Sequence, residues 1–176
     1  AWVTGKYNYR NWERLGYLAP DQKTFANMLQ DAGYATCFCG KWQFDGGDTS
    51  IRQHGFDNYI VFMPFNELVN GHDQYYRRYK NPYLYQDARY LTEAEVEGKY
   101  SEDMFFDYAS KFIDSNASNP FLLVYSHNLV QKPAVPTPDD PLFAAWDPAV
   151  DDNRHSDTSF FPGNVAYMDK IIGKII

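Results

Sequence analysis

Residues 20–40, PDQKTFANMLQDAGYATCFCG, decide the fold class because they join a helix to a strand by a tight link. Apolar residues recur at helical spacing after Asp21, which we expect to cap the helix. They are Phe25, Met28, Leu29 and Ala32. Gly33 stands where many helices end in a left-handed residue. Residues 34–39 then predict a short buried strand, and a helix followed directly by such a strand is typical of α/β proteins.

Four further elements continue this alternation. A second strand is predicted at 59–63, after a turn-rich segment at 43–58. Ser101 is expected to cap a helix with one continuous apolar stripe. The apolar run FLLVY at 121–125 predicts a strand buried on both faces. A third helix is predicted to begin near Asn164.

Two segments lack a regular pattern and are expected to be irregular segments outside the sheet. Residues 64–99 are predicted to be an irregular insertion, since so long a weakly patterned stretch is usually functional. Residues 131–162 are predicted to be a Pro-rich active-site loop, because five prolines between 131 and 148 exclude a regular element. In open α/β sheets, chemistry collects beyond the carboxyl ends of strands. The candidate site is therefore formed by residues 40–43 and 126–133.

Composition excludes several classes of protein. The 176 residues carry 16 Lys+Arg against 23 Asp+Glu, a formal net charge of −7, which argues against a nucleic-acid partner. An aromatic content of 18% is too much apolar surface for a disordered chain. No apolar run approaches the ~20 residues that span a bilayer. Cys37 and Cys39 cannot make a disulfide framework, and we interpret them as core residues rather than a metal-binding pair.

A set of short motifs occurs in order along nearly the whole chain. They are TGKY at 4–7, GKWQ at 40–43, FLLVY at 121–125 followed by prolines 133, 136 and 138, and YMDK at 167–170. This order resembles the N-terminal half of a sulfatase of the alkaline-phosphatase superfamily. The resemblance implies a fragment of a three-layer αβα sandwich with a mostly parallel central sheet. It also implies a periplasmic or secreted protein, a location that the chain itself does not indicate.

The resemblance places part of the family's machinery outside the chain. The nucleophile motif ends on Thr4-Gly5, so its Cys or Ser, which becomes formylglycine, would precede Ala1. The carboxylates that hold calcium or another divalent ion are also expected outside residues 1–176. We therefore expect a partial catalytic domain that is inactive alone. Self-association of this chain is expected too, because missing strands would leave sheet edges and apolar faces exposed.

The same resemblance assigns roles to individual side chains. Lys41 matches the lysine that contacts sulfate, where an ammonium can neutralise charge developing on the leaving oxygen. Gln43 and Gln131 fall on two catalytic histidine positions; an amide can hold sulfate but cannot transfer a proton. Lys132, if buried, or His127 would have to replace the second histidine as the acid. His127 is alternatively a hydrogen-bonded histidine at a strand end.

A basic and aromatic cluster at 75–80, YYRRYK, offers Arg77 and Arg78 as cations for sulfate and rings for a sugar face. The alternative is a solvated loop. The implied function is hydrolysis of sulfuric esters, with a sulfated small molecule or sugar as partner. Two other functions stay open. One is a degenerate protein that binds sulfated ligands without cutting them, and the other is a sister phosphodiesterase.

Overall fold

The computed structural model describes residues 2–11, 13–62, 64, 77–148 and 157–176. The helices are α1 (Asn8–Asn11), α2 (Phe25–Asp31), α3 (Gly47–Gln53), α4 (Glu93–Val96), α5 (Ser101–Ser115) and α6 (Phe161–Ile175), with a 3₁₀ turn at Thr158–Phe160. The strands are β1 (Ala35–Lys41), β2 (Asn58–Phe62), β3 (Tyr85–Gln86), β4 (Arg89–Tyr90) and β5 (Phe121–Ser126). None of the described helices is long and apolar enough to cross a membrane.

The strands form one sheet in the order β4-β3-β2-β1-β5. The central strands β2, β1 and β5 are parallel, and the short β3 and β4 are antiparallel. This arrangement confirms the predicted α/β class with a mostly parallel sheet. In the register, Lys41 lies opposite Phe62, and Gly40 lies opposite Ser126. The three parallel strands therefore end together at one edge, as the sequence predicted for the candidate site.

Helices cover both faces of the sheet. The buried residues on the α5 side are Cys37, Cys39, Ile60, Phe62, Leu84, Phe105, Ala109 and Phe112. On the opposite side, which α2 and α3 cover, they are Ala26, Phe38, Trp42, Ile51, Phe56, Tyr59, Val61 and Tyr85. Alternate residues of each strand thus point to opposite cores, which gives the three layers expected of the fold.

Helix boundaries differ from the predicted ones at three points. Thr24, not Asp21, caps α2: its Oγ1 accepts from the Asn27 amide at 3.1 Å, while Asn27 Oδ1 accepts from the Thr24 amide at 3.0 Å. The N-cap of α5 is Tyr100, so the predicted cap Ser101 is its first helical residue. Helix α6 begins at Phe161, because a proline is tolerated in the first turn of a helix.

Two segments hold more regular structure than their composition predicts. Residues 43–58 contain α3, which follows a glycine in the left-handed region, Gly46, with φ of 95°. The described part of 64–99 contains β3, β4 and α4 rather than an irregular loop. The hairpin turn places Asp87 and Ala88 at φ of 43° and 73°, a conformation that glycine usually supplies, so the sequence hides it.

Strand β5 is not buried on both faces as its apolar run predicted. All of its residues are half-buried, and it is the edge strand of the described sheet. The run FLLVY packs one face against α5 residues such as Phe112, whose ring lies 5.7 Å from that of Phe121. The predicted self-association of the chain stays a prediction. An edge strand is where it would begin.

Candidate functional site

Lys41 and Gln131 meet at the carboxyl edge of the sheet. Lys41 ends β1, and its half-buried Nζ donates to Gln131 Oε1 at 3.0 Å. Gln131 lies in the Pro-rich segment, which has no helix or strand over 131–148. The end of the predicted loop, 157–162, instead contains the 3₁₀ turn and the start of α6. The structure thus joins two of the three residues predicted to be catalytic.

A second cation reaches the same point from the basic cluster. Arg78 is only 2% exposed; its Nη1 donates to the carbonyl of Lys132, and its guanidinium lies 5.2 Å from the ring centre of Phe62. Phe62 is the register partner of Lys41. Burial, and secondarily the charge of Arg78, lower the pKa of Lys41. Two cations that repel each other at a strand end form a site that an anion would stabilise.

Tyr79 fixes the loop that carries Gln131. The hydroxyl group of Tyr79 is directed at the carbonyl oxygens of Asn128, at 3.0 Å, and Gln131, at 3.2 Å. Burial raises its pKa to about 12, so it stays a donor at any physiological pH. Because Arg78 and Tyr79 are both buried, the interpretation of this cluster as a solvated loop is wrong for its described residues. Tyr75 and Tyr76 lie outside the described residues.

Arg77 and Lys132 occupy different surroundings from Arg78. Arg77 makes an ion pair with Glu93, the first residue of α4, which offsets its charge. The side chain of Lys132 is exposed, and only its backbone carbonyl is held, by Arg78. The burial that would have let Lys132 act as an acid is therefore absent. Arg78, and neither Arg77 nor Lys132, is the cation whose charge lowers the pKa of Lys41.

Gln43 shares a cavity with Lys41 but makes no described contact with it. The cavity, of about 350 Å³, is lined by both residues and by Trp2, Arg14 and Ser126, among others. Gln43 is exposed and has a φ of 60°, the left-handed region. Non-glycine residues seldom adopt this region outside functional or strained sites. An amide in this position can accept from, or donate to, a ligand in the cavity.

His127 follows β5 directly and is held by a carboxylate that sequence analysis missed. Its Nδ1 lies 2.9 Å from Glu102 Oε2. Glu102 Oε1 accepts from the backbone amides of Asn128, at 2.7 Å, and Leu129, at 3.3 Å. The structure thus agrees with a hydrogen-bonded histidine at a strand end. Glu102 gave no sequence signal, because an acidic residue in the first turn of a helix is ordinary.

The residues that the structure describes do not fit a metal ion. In those ranges, no group of three or more His, Cys, Asp or Glu side chains could hold an ion. The sulfur atoms of Cys37 and Cys39 lie 3.7 Å apart on one face of β1, fully buried. Burial and the neighbouring thiol raise the pKa of Cys39, which disfavours the thiolate that binds metals.

Comparison with known families identifies the chain. The model of the sulfatase family matches residues 1–176, so the chain belongs to the sulfatase family. It is 28% identical over 139 residues to an N-acetylglucosamine-6-O-sulfatase of Bacteroides thetaiotaomicron. That match covers 77% of this chain and 22% of the relative, so the chain spans less than a quarter of that relative's length.

Two solved structures share the fold. One is a protein in complex with its substrate D-glucosamine-2-N,6-O-disulfate, at 26% identity and a TM-score of 0.59, covering 77% of this chain and 25% of that one. The other is Ps i-CgsB in complex with k-i-k-neocarrahexaose, at 21% identity and a TM-score of 0.70, covering 98% of this chain and 41% of that one. The second likeness, at its lower identity, concerns the fold alone.

Proposed function

We propose that the protein containing this chain is a sulfatase that hydrolyses sulfuric esters of sugars. The observation that carries the proposal is the pair of neighbouring cations, Lys41 and Arg78, at the carboxyl edge of the sheet in a member of the sulfatase family. The relatives named for N-acetylglucosamine 6-sulfate and glucosamine disulfate support a sulfated sugar as substrate. Arg77, paired with Glu93, has a lesser part in this proposal.

Lys41 is proposed to bind the sulfate group. A sulfate ester carries one negative charge, and its bridging oxygen gains charge as the S–O bond breaks. A half-buried ammonium is worth more there than in water, because the local dielectric is low. The pKa of Lys41 is already lowered by burial and by Arg78. A bound anion would reverse that effect and hold Lys41 in its charged form.

Gln43 and Gln131 are proposed to orient rather than to transfer protons. Gln131 holds the Lys41 ammonium through its carbonyl oxygen at 3.0 Å, and Gln43 borders the same cavity as Lys41. Neither amide titrates near neutral pH. Proton transfer to the leaving sugar must therefore come from another group.

Formylglycine and a divalent ion, calcium in the usual case, are general to the family and are proposed for the full-length protein. Calcium takes six to eight oxygen ligands, mostly carboxylates. The described residues supply no such set, so the ligands would come from the rest of the protein. Lys41 and Arg78 would then form the cationic side of the sulfate-binding site.

The second candidate is a protein that binds sulfated ligands without cutting them. The two glutamines at histidine positions favour it, since a site that lacks its acids could still hold an anion. It predicts tight binding of a sulfated sugar by Lys41 and Arg78 with no release of sulfate.

One experiment separates these functions. The full-length protein is incubated with 6-O-sulfated N-acetylglucosamine, 4-nitrophenyl sulfate and bis(4-nitrophenyl) phosphate, and released sulfate or phenol is measured. We expect cleavage of both sulfates and little of the phosphate diester. Binding of the sulfated sugar without release would favour the binding protein. Faster cleavage of the phosphate diester would contradict the sulfatase and favour a phosphodiesterase.

A further inference from the structure

A buried carboxylate and an imidazole stand beside the site without a part in the function proposed so far. Glu102, in the first turn of α5, is 0% exposed, and His127 is the first residue after β5. Their contact, from Nδ1 to Oε2, is 2.9 Å. A carboxylate is seldom fully buried unless its oxygens are satisfied by donors.

The hydrogen bonds around Glu102 fix where His127 carries its protons. Oε1 faces two backbone amides, of Asn128 and Leu129, which can only donate. With Glu102 ionised, both of its oxygens accept, and Nδ1 of His127 donates to Oε2. A second proton on the ring must then sit on Nε2. The pair forms an imidazole of fixed tautomer and orientation, which is the arrangement that proton-transfer histidines require.

The strand register places this imidazole next to Lys41. Gly40 lies opposite Ser126, the last residue of β5, so Lys41 and His127 are the residues that follow this pair. By alternation along β1, Lys41 lies on the same face as Cys39, the α5 side. The contact of His127 with Glu102 on α5 places its ring on that side too. The His127 ring packs 4.3 Å from the ring of Tyr125, yet its side chain keeps 16% exposure. A ligand held by Lys41 would thus have an imidazole at its side.

The reaction of a sugar sulfate needs such a group. The departing sugar oxygen is an alkoxide, a strong base, unless it is protonated as the S–O bond breaks. Gln43 and Gln131 cannot supply that proton. We propose that His127 is the catalytic acid for the leaving sugar and that Glu102 is its positioning residue. This inference rests on the proposed sulfatase function.

The step balances without a further reagent. Sulfur gains a bond to the attacking oxygen, and its bond to the sugar oxygen breaks with the electron pair staying on that oxygen. The sugar oxygen takes the proton from Nε2 of the imidazolium, which becomes neutral imidazole. The water consumed in hydrolysis returns a proton to Nε2. The products are the sugar alcohol and inorganic sulfate.

The test compares two leaving groups in the full-length protein. His127→Asn keeps a side-chain N–H where Nδ1 stands, which preserves the bond to Glu102, but removes Nε2. We expect kcat/KM for 6-O-sulfated N-acetylglucosamine to fall about 100-fold, the lower end of the range for general acids. For 4-nitrophenyl sulfate, whose phenolate leaves without a proton, we expect a fall of less than about 3-fold, since no acid step is lost there.

Controls separate this role from a structural one. Tyr125→Phe removes the hydroxyl bond to the Glu102 carbonyl oxygen but keeps the ring against His127, and should affect both substrates equally. Glu102→Gln should lower kcat/KM for the sugar sulfate more than for 4-nitrophenyl sulfate. If His127→Asn does not fold, this variant replaces it in the comparison of the two substrates. Equal losses on both substrates, or no loss, would overturn the inference alone. Wild-type protein that cleaves neither substrate would overturn the proposed function and this inference with it.

Discussion

Lys41 and Gln131 are 90 positions apart in the sequence, and the Nζ of one donates to the Oε1 of the other at 3.0 Å. The contact joins the end of β1 to the Pro-rich loop. Tyr79 and Arg78 hold that loop through the carbonyls of Gln131 and Lys132. The cationic edge of the sheet is thus assembled by three separate segments that these hydrogen bonds join.

The charged side chain of Lys41 is expected to destabilise the folded chain. Burial and Arg78 lower its pKa. The charged ammonium lowers the free energy of unfolding by its full amount at pH values below the folded-state pKa of Lys41. This destabilisation vanishes above the unfolded-state pKa of Lys41, so the free energy of unfolding rises with pH between the two. Lys41→Met should therefore unfold at equal or higher urea concentration at pH 7, and its advantage should shrink by pH 10. Its partner Gln131 is exposed and can bond water instead.

Urea denaturation at both pH values checks this prediction. Lys23→Met is the matched control, because Lys23 pairs with Asp31 on the surface, where ion pairs contribute little. A Lys41→Met variant that is markedly less stable than wild type at pH 7 would show that the ammonium is stabilising.

Gly40 is expected to tolerate no side chain. Its φ is 102°, and a Cβ there would overlap the backbone carbonyl of Ser126 on β5. Gly33 has a similar φ of 86° but open space around it. Gly33→Ala should cost about 1 kcal/mol, from backbone conformation alone. Gly40→Ala should cost at least about 3 kcal/mol, because strand β5 must also move. Equal free energies of unfolding for the two variants would disprove this packing argument.

The true cap of α2 can be distinguished from the predicted one. Thr24→Ala removes both the capping bond from the Asn27 amide and a bond to the His54 carbonyl at 2.8 Å. We expect a loss of about 1–2 kcal/mol in the free energy of unfolding. Asp21→Ala, the residue that the sequence suggested, should change it by less than about 0.5 kcal/mol. A reversed order of the two effects would contradict the capping box.

The two cysteines are expected to be unreactive while the chain is folded. Both are fully buried, and burial raises the pKa of Cys39, so little thiolate is present. A thiol reagent such as 5,5′-dithiobis(2-nitrobenzoate) should react with neither within minutes in buffer and with both in urea. Rapid reaction of one thiol in buffer would place it at the surface.

The parts of the fold that periodicity controls were predictable. The strand at 121–125, the stripe of α5 and the turn at Gly33 depend on local spacing, and the structure contains all three. Helix α3 was missed because it is short and begins in glycines, so tertiary packing of Ile51 rather than propensity stabilises it. The exposure of β5 was missed because an apolar run does not reveal which strand is at an edge.

The candidate site was predictable only where a motif marked it. Lys41 and Gln131 were predicted to lie at one edge of the sheet because a family pattern marks each of them, and the structure brings the two into contact. Lys132 was expected to act as an acid only if it were buried, and its side chain is exposed. The exposure of a side chain cannot be recognised from its residue type. Glu102 could not be found, because its contact with His127 joins residues 25 positions apart and depends on the packing of α5 against β5.

The central claim is that Lys41 binds the sulfate of a sugar ester during its hydrolysis. The most direct test measures kcat/KM of full-length wild-type, Lys41→Met and Lys23→Met proteins on 6-O-sulfated N-acetylglucosamine. We predict a loss of at least about 100-fold for Lys41→Met with its fold intact, as for the removal of a group that stabilises transition-state charge, and none for Lys23→Met. Unchanged turnover by a folded Lys41→Met protein would contradict the account.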